Sequence, residues 1–262
     1  MQDNNVISFR ASDGNTVRVE CRESLPSAAA LAKEYAKSGY PDRYAVFTER
    51  QTEVSAIGEI LSEKEKEKED GLFLSCILRP SIFPSQAGCI GPLSAVALTA
   101  ALEEHMMKNT GIGWVSDIFS DGVKIGCTSV EGKLDSFASY EYLIVNFAVK
   151  VNTKKFVPRL TDMVRRVFEE GNQSIKMIMA KSVLNNFFAM YKEIKSPAKH
   201  LNQYISKFVL TDKKIKYIED GKKKTVKVVG INKENLMLIV ETKDERQISV
   251  SSQSSVIIPN RI

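Results

Sequence analysis

The chain has 262 residues, 43% hydrophobic and 26% charged, with a formal net charge of +5. That length can bury the core of one medium domain and one small one. No apolar run approaches the roughly 20 residues of a membrane helix, and Met1–Ile7 lacks the basic start and apolar run of a signal peptide; no membrane partner and a cytoplasmic location are therefore expected.

From the N-terminus, residues 5–22 read as a hairpin: NVISFRA, the turn signal Ser12-Asp13-Gly14-Asn15, then TVRVECR in period-2 alternation. Ser24 is placed to cap a helix over Leu25–Lys37, which Gly39 stops. Tyr44–Thr48 reads as a short strand, and Gly71–Leu78, nearly continuous in apolar residues, as a strand buried on both faces. Between them lies Thr52–Asp70, ending in EKEKEKED, either a solvated helical turn or a loop. Pro92–Lys108 has helical spacing, with proline in its first turn. Strands follow at Gly113–Ile118, Val123–Val130 and Tyr140–Val151. Helices are expected at Phe156–Glu170 and Ile175–Lys195, the second interrupted near Ala180-Lys181. After about residue 208 the helical patterns stop, and five short β runs appear: Lys214–Ile218, Thr225–Ile231, Leu236–Val240, Gln247–Val250 and Ser255–Ile258. The pattern predicts an α+β domain over 1–207 and a small β-barrel domain over 208–262.

Cys21, Cys76, Cys89 and Cys127 are scattered, and only His105 and His200 add imidazoles, so neither a disulfide framework nor a zinc site is predicted. Lys207–Lys227 holds eight lysines against Asp212, Glu219 and Asp220, so the whole charge excess sits there. A solvated hairpin is the simplest reading of that run, and a docking surface for an acidic protein partner is the functional one. Nucleic acid is disfavoured: there is no helix-turn-helix, no zinc-finger spacing and no interleaved aromatic-basic motif.

Several residues stand in a register with chemical meaning. Trp114 and Asp117 precede Lys124, which lies ten residues after Trp114; Glu131 follows downstream. Ser24 and Gln51 come earlier, Lys150 lies at the end of the strand of Tyr140–Val151, and Asn152 follows it. With FLSCILRPSIFPSQAG and the helix after it, this register resembles the biotin protein ligases over nearly the whole chain from about Arg18. The resemblance implies a ligase-type mixed sheet with helices, followed by a small SH3-like barrel. It implies ATP, Mg and biotin as ligands, and a biotin carrier domain as the protein substrate. The family forms biotinyl-AMP, which a carrier lysine then attacks. By resemblance Lys124 is the catalytic cation at the carboxylate and phosphate, and Asp117 helps hold metal and ATP. Gln51 reads the ureido group, and Ser24, Trp114, Lys150 and Asn152 complete the ligand-binding set. Edge-to-edge homodimers are common in the family. About 20 residues precede the ligase region, so no winged helix is expected.

The departures are as informative. The family's Gly-Arg-Gly-Arg-x-Gly loop aligns with Val54-Ser55-Ala56-Ile57-Gly58-Glu59, which has no arginine. Thr-Asn after the serine is Leu25-Pro26, Pro-Asn before Asp117 is Val115-Ser116, and the glycine three residues after the lysine is Cys127. Phosphates need fixed cations and close backbone N–H donors. Two missing charge-assisted contacts of about 1.5–3 kcal/mol each amount to roughly 10³ or more in rate. Three readings follow: an impaired ligase, a ligase-like module that binds biotin or another small carboxylate without turnover (a pseudoenzyme), or an interaction protein on the same scaffold.

Overall fold

The computed structural model describes residues 5–53, 69–105, 109–150, 175–219, 221–251 and 255–262. The expected helix Phe156–Glu170, the segment Val54–Glu59 and Asn152 lie outside the described residues.

Strands β1 (Asn5–Arg10) and β2 (Thr16–Arg22) form the expected antiparallel hairpin. Its turn uses Gly14 at φ +87, with the Asp13 carboxylate accepting from the Asn15 N–H. Helix α1 (Ala28–Lys37) starts three residues later than Ser24 implies. Leu25 is held extended beside strand β3 (Tyr44–Gln51): its N–H donates to Arg50 O at 3.0 Å, and its carbonyl accepts from Thr52 N at 3.0 Å. Pro26 also disfavours a helical conformation at Leu25. Ser27 is therefore the cap, its hydroxyl accepting from Ala30 N at 3.2 Å. Buried Ala28, Ala32 and Ala36 recur every fourth residue and let the helix lie close on the sheet.

Strand β4 (Glu69–Leu78) pairs with β3 and is buried from Gly71 to Leu78, as its apolar run predicts. A one-turn helix α2 (Pro84–Ala87) leads into α3 (Ile90–Glu104), which begins two residues before Pro92. Proline fits there because first-turn N–H groups need no intrahelical partner. The single strand expected over Gly113–Ile118 is instead two, β5 (Thr110–Gly113) and β6 (Asp117–Ser120), folded back at Trp114–Ser116. That turn is held by Ser116: its hydroxyl donates to Thr128 O at 2.6 Å and its carbonyl accepts from Thr128 N at 3.0 Å. Strands β7 (Val123–Leu134) and β8 (Tyr140–Lys150) complete an eight-stranded sheet of order β1-β2-β3-β4-β8-β7-β6-β5, in which only β2–β3 is parallel. Helix α4 (Ile175–Tyr191) runs unbroken through Ala180-Lys181, and α5 (Ala198–Ser206) follows. No helix among the described residues is long and apolar enough to cross a membrane.

The sheet is covered on both faces. One core joins Val17, Val19, Leu74, Phe147 and Ile118 to α3 and α4; the other joins Val46, Phe73, Ile144 and Ala148 to α1. The C-terminal strands β9 (Lys214–Glu219), β10 (Lys222–Ile231), β11 (Leu238–Glu241), β12 (Gln247–Val250) and β13 (Val256–Ile257) form an antiparallel sheet of order β12-β11-β10-β9-β13. Its core of Ile215, Val226, Val228, Leu238 and Val240 takes in Trp114 from the large sheet's β5–β6 turn.

Candidate functional site

The residues picked out by register gather at one end of the large sheet, where β3 and β8 finish and β4 and β7 begin. Gln51 pairs with Glu69, Lys150 with Gly71, Val149 with Gly126, and Gly126 with Ile118. Neighbouring strands lie about 4.8 Å apart, so Gln51 on β3 and Lys124 on β7 are separated by roughly 14 Å across the sheet. Ser24, exposed, sits just beyond β2 at the same end. Lys150 is the last residue of β8.

A β-bulge decides which way Lys124 points. Ile118 pairs with Gly126, but Phe119 pairs with Lys124, so Ile125 is the extra residue. In an unbroken ladder Lys124 would face with Ser120; the one-residue shift moves it to the face of Asp117 and Phe119. That is the α1 face, since Asp117 stands opposite Cys127, then Ala148 and Phe73, the last two in the core beneath α1. There Lys124 Nζ meets Asp117 Oδ1 at 2.7 Å, with side chains only 13% and 6% exposed. Burial pushes the Asp117 carboxyl above the usual carboxylate range, against the opposing pull of the Lys124 ammonium. Gly126 belongs to the same device, because a Cβ there would lie 2.3 Å from Ala148 O.

Gln51 is buried, and its Oε1 accepts from Ala28 N at 2.8 Å, at the first turn of α1. The amide NH2 group is thus the part left to donate toward a ligand carbonyl. Glu131 faces α1 and forms a surface ion pair with Lys33. Trp114 sits between the two sheets. It is 3% exposed in the C-terminal core, and its indole N–H donates to Leu236 O at 2.9 Å. A large apolar ring with one donor is satisfied best in that setting.

Asp117, the residue expected to help hold Mg with ATP, has its Oδ1 engaged by Lys124. Cys127 is buried beside this row.

Two features have no sequence signal. Asn260 O accepts from Lys124 N at 2.8 Å, Ile262 N donates to Gly122 O at 2.9 Å, and Arg261 bridges to Val123. The C-terminal segment thus braces the strand that carries Lys124. Buried Glu20 accepts from Tyr44 Oη at 2.8 Å, Tyr35 Oη at 3.1 Å and Arg22 Nε at 2.7 Å, which fixes β2 against α1. Both arise from long-range pairing that local patterns do not encode.

No family model matches the sequence. The bifunctional ligase/repressor BirA of Bacillus subtilis is 26% identical over 155 residues, covering 58% of this chain and 46% of that protein. The chain therefore spans about half the length of the curated relative it matches. Among solved structures, a mutant biotin protein ligase of Aquifex aeolicus in complex with biotin superposes at TM-score 0.65 and 18% identity. The same enzyme with biotin and ATP gives 0.63 and 17%; each covers 91% of this chain and 97% of the other. A biotin protein ligase-like protein of unknown function from Silicibacter sp. tm1040 gives TM-score 0.61 at 11% identity, covering 89% and 94%. These likenesses show that the chain has the fold of these biotin protein ligases.

Proposed function

We propose that the chain binds biotin at the sheet end defined by Ser24, Gln51, Lys124 and Asp117, and forms biotinyl-AMP from ATP far more slowly than a ligase with a complete loop. The observation that carries this reading is the buried Lys124–Asp117 pair on the α1 face. A cation held in a poorly hydrated position is what a carboxylate and a phosphate require as negative charge develops between them. In the proposed reaction the ammonium of Lys124 lies against the biotin carboxylate and the α-phosphate. Asp117 keeps that ammonium oriented, and the Gln51 NH2 donates to the ureido oxygen. ATP supplies the adenylyl group: a carboxylate oxygen bonds to the α-phosphorus as the bond to pyrophosphate breaks and pyrophosphate leaves, and Lys150, at the end of β8, is a second cation for the phosphates. A carrier-domain lysine is the acceptor. The C-terminal strands serve as an SH3-like barrel behind Trp114, and pairing of two copies through sheet edges is the expected assembly.

The rate deficit follows from Val54–Glu59, where no guanidinium is available to the phosphates. A second reading, binding without turnover, is favoured by the same ion pair: Asp117 already balances the Lys124 charge, so an anion must compete with it. Calorimetric titration with biotin, with and without ATP, tests the proposal. Saturable binding that weakens at least about tenfold in Lys124→Ala, the loss of one charge-assisted contact, is expected. Absence of binding by the unaltered chain would remove the ligand assignment.

A further inference from the structure

The charge excess of the chain is concentrated in the β9–β10 hairpin, and the register gives it a direction. Buried Ile215, Val226 and Val228 point into the C-terminal core. The alternate residues therefore face outward: Lys214 opposite Lys227, Lys216 opposite Thr225, and Lys223 opposite Ile218. Like charges directly opposite across a ladder are destabilising. Lys227 is relieved by Asp212 at 2.7 Å, and Lys216 donates to Thr225 at 2.6 Å. Among the described residues, no acid lies within ion-pair distance of Lys214, Lys216 or Lys223 on this outward face.

This basic face is tied to the candidate site by backbone. Lys216 pairs with Ile257 on β13, and three residues later Asn260 O accepts from Lys124 N. One cross-strand step of about 5 Å, three residues of at most about 3.5 Å each and a second cross-strand step place Lys216 within roughly 20 Å of Lys124. A folded domain of about 80 residues has a radius of gyration near 12 Å and a diameter near 30 Å. One small domain can therefore cover the hairpin and still present a side chain at the Lys124 end of the sheet.

We infer that the outward face of the β9–β10 hairpin docks the acidic surface of the protein whose lysine is to be modified, holding it beside Lys124. The identity of that partner as an acceptor domain rests on the proposed function; the docking face does not. Protein is favoured over nucleic acid because the face is a flat lysine ribbon without interleaved aromatic or arginine side chains to stack on or read bases.

The test is fluorescence anisotropy of the full chain against a labelled biotin carrier domain of net negative charge and, separately, a 20-nucleotide single-stranded DNA. It is repeated on K214E/K216E/K223E and on the milder K214Q/K216Q/K223Q, with biotin binding measured on each. The expected result is carrier binding that weakens with salt, falls at least about tenfold in the reversal variant and less in the glutamine variant, with biotin affinity unchanged. Carrier binding equal in all three proteins, no carrier binding by the unaltered chain, or tighter binding of DNA than of carrier overturns the inference. Carrier docking without biotin binding would sink the proposed function and leave the docking face standing; biotin binding without lysine-dependent docking does the reverse.

Discussion

Removing the Lys124 ammonium strands Asp117 as a buried carboxylate without its ion-pair partner. Breaking a buried pair from one side costs about 3–5 kcal/mol, whereas replacing both partners is much less costly. Lys124→Met is expected to lower the unfolding free energy from urea titration by that order, and Asp117→Asn combined with Lys124→Met to recover most of it. Equal losses in the single and double variants would show that the pair carries no net coupling. The same carboxyl sets a pH dependence. Its folded-state value lies above the unfolded one, so its contribution to stability is complete below the unfolded value near 3.9 and is lost as pH rises through the folded value. Unfolding free energies measured just above pH 4 and upward are therefore expected to fall less steeply with pH in Asp117→Asn than in the unaltered chain. His105 has the opposite sign: burial lowers its value and neither ring nitrogen has a hydrogen-bond partner among the described residues, so its contribution is present above the unfolded value near 6.5 and lost on acidification.

At the scale of single elements, helix α1 separates the two serines that begin its segment. Ser27→Ala is expected to cost about 1 kcal/mol in thermal unfolding, and Ser24→Ala close to nothing, since Ser27 holds the cap. A loss of stability in Ser24→Ala instead would mean that the helix starts where the sequence pattern alone puts it. The elements that were legible in advance are those governed by local period: the β1–β2 hairpin, the apolar β4, helix α3 and the five C-terminal strands. Those misread are governed by partners far away in sequence. The apolar stretch Gly113–Ile118 looks like one strand because nothing local reports that Trp114 belongs to the core of the C-terminal sheet. The start of α1 was missed because Leu25 is recruited to pair beside Gln51. The residues of the candidate site were visible as spacing, yet the side of the sheet they face depends on the Ile125 bulge, which no spacing encodes.

For the whole molecule, the large sheet and the C-terminal sheet act on each other through two joints: the Trp114 indole on Leu236 O, and the Asn260–Ile262 segment along Gly122–Lys124. Lys124 thus sits in the fold of the biotin protein ligases, while Val54–Glu59 contains no arginine. The proposed function predicts slow adenylate formation, which one assay reads directly. Purified chain is incubated with biotin and Mg-ATP beside a fully active ligase, and biotinyl-AMP is followed by mass spectrometry. Adenylate that forms at least roughly 10³-fold more slowly, and disappears in Lys124→Ala, is the predicted result. Formation within about tenfold of the active ligase would contradict the account, because two lost charge-assisted contacts could not then be limiting.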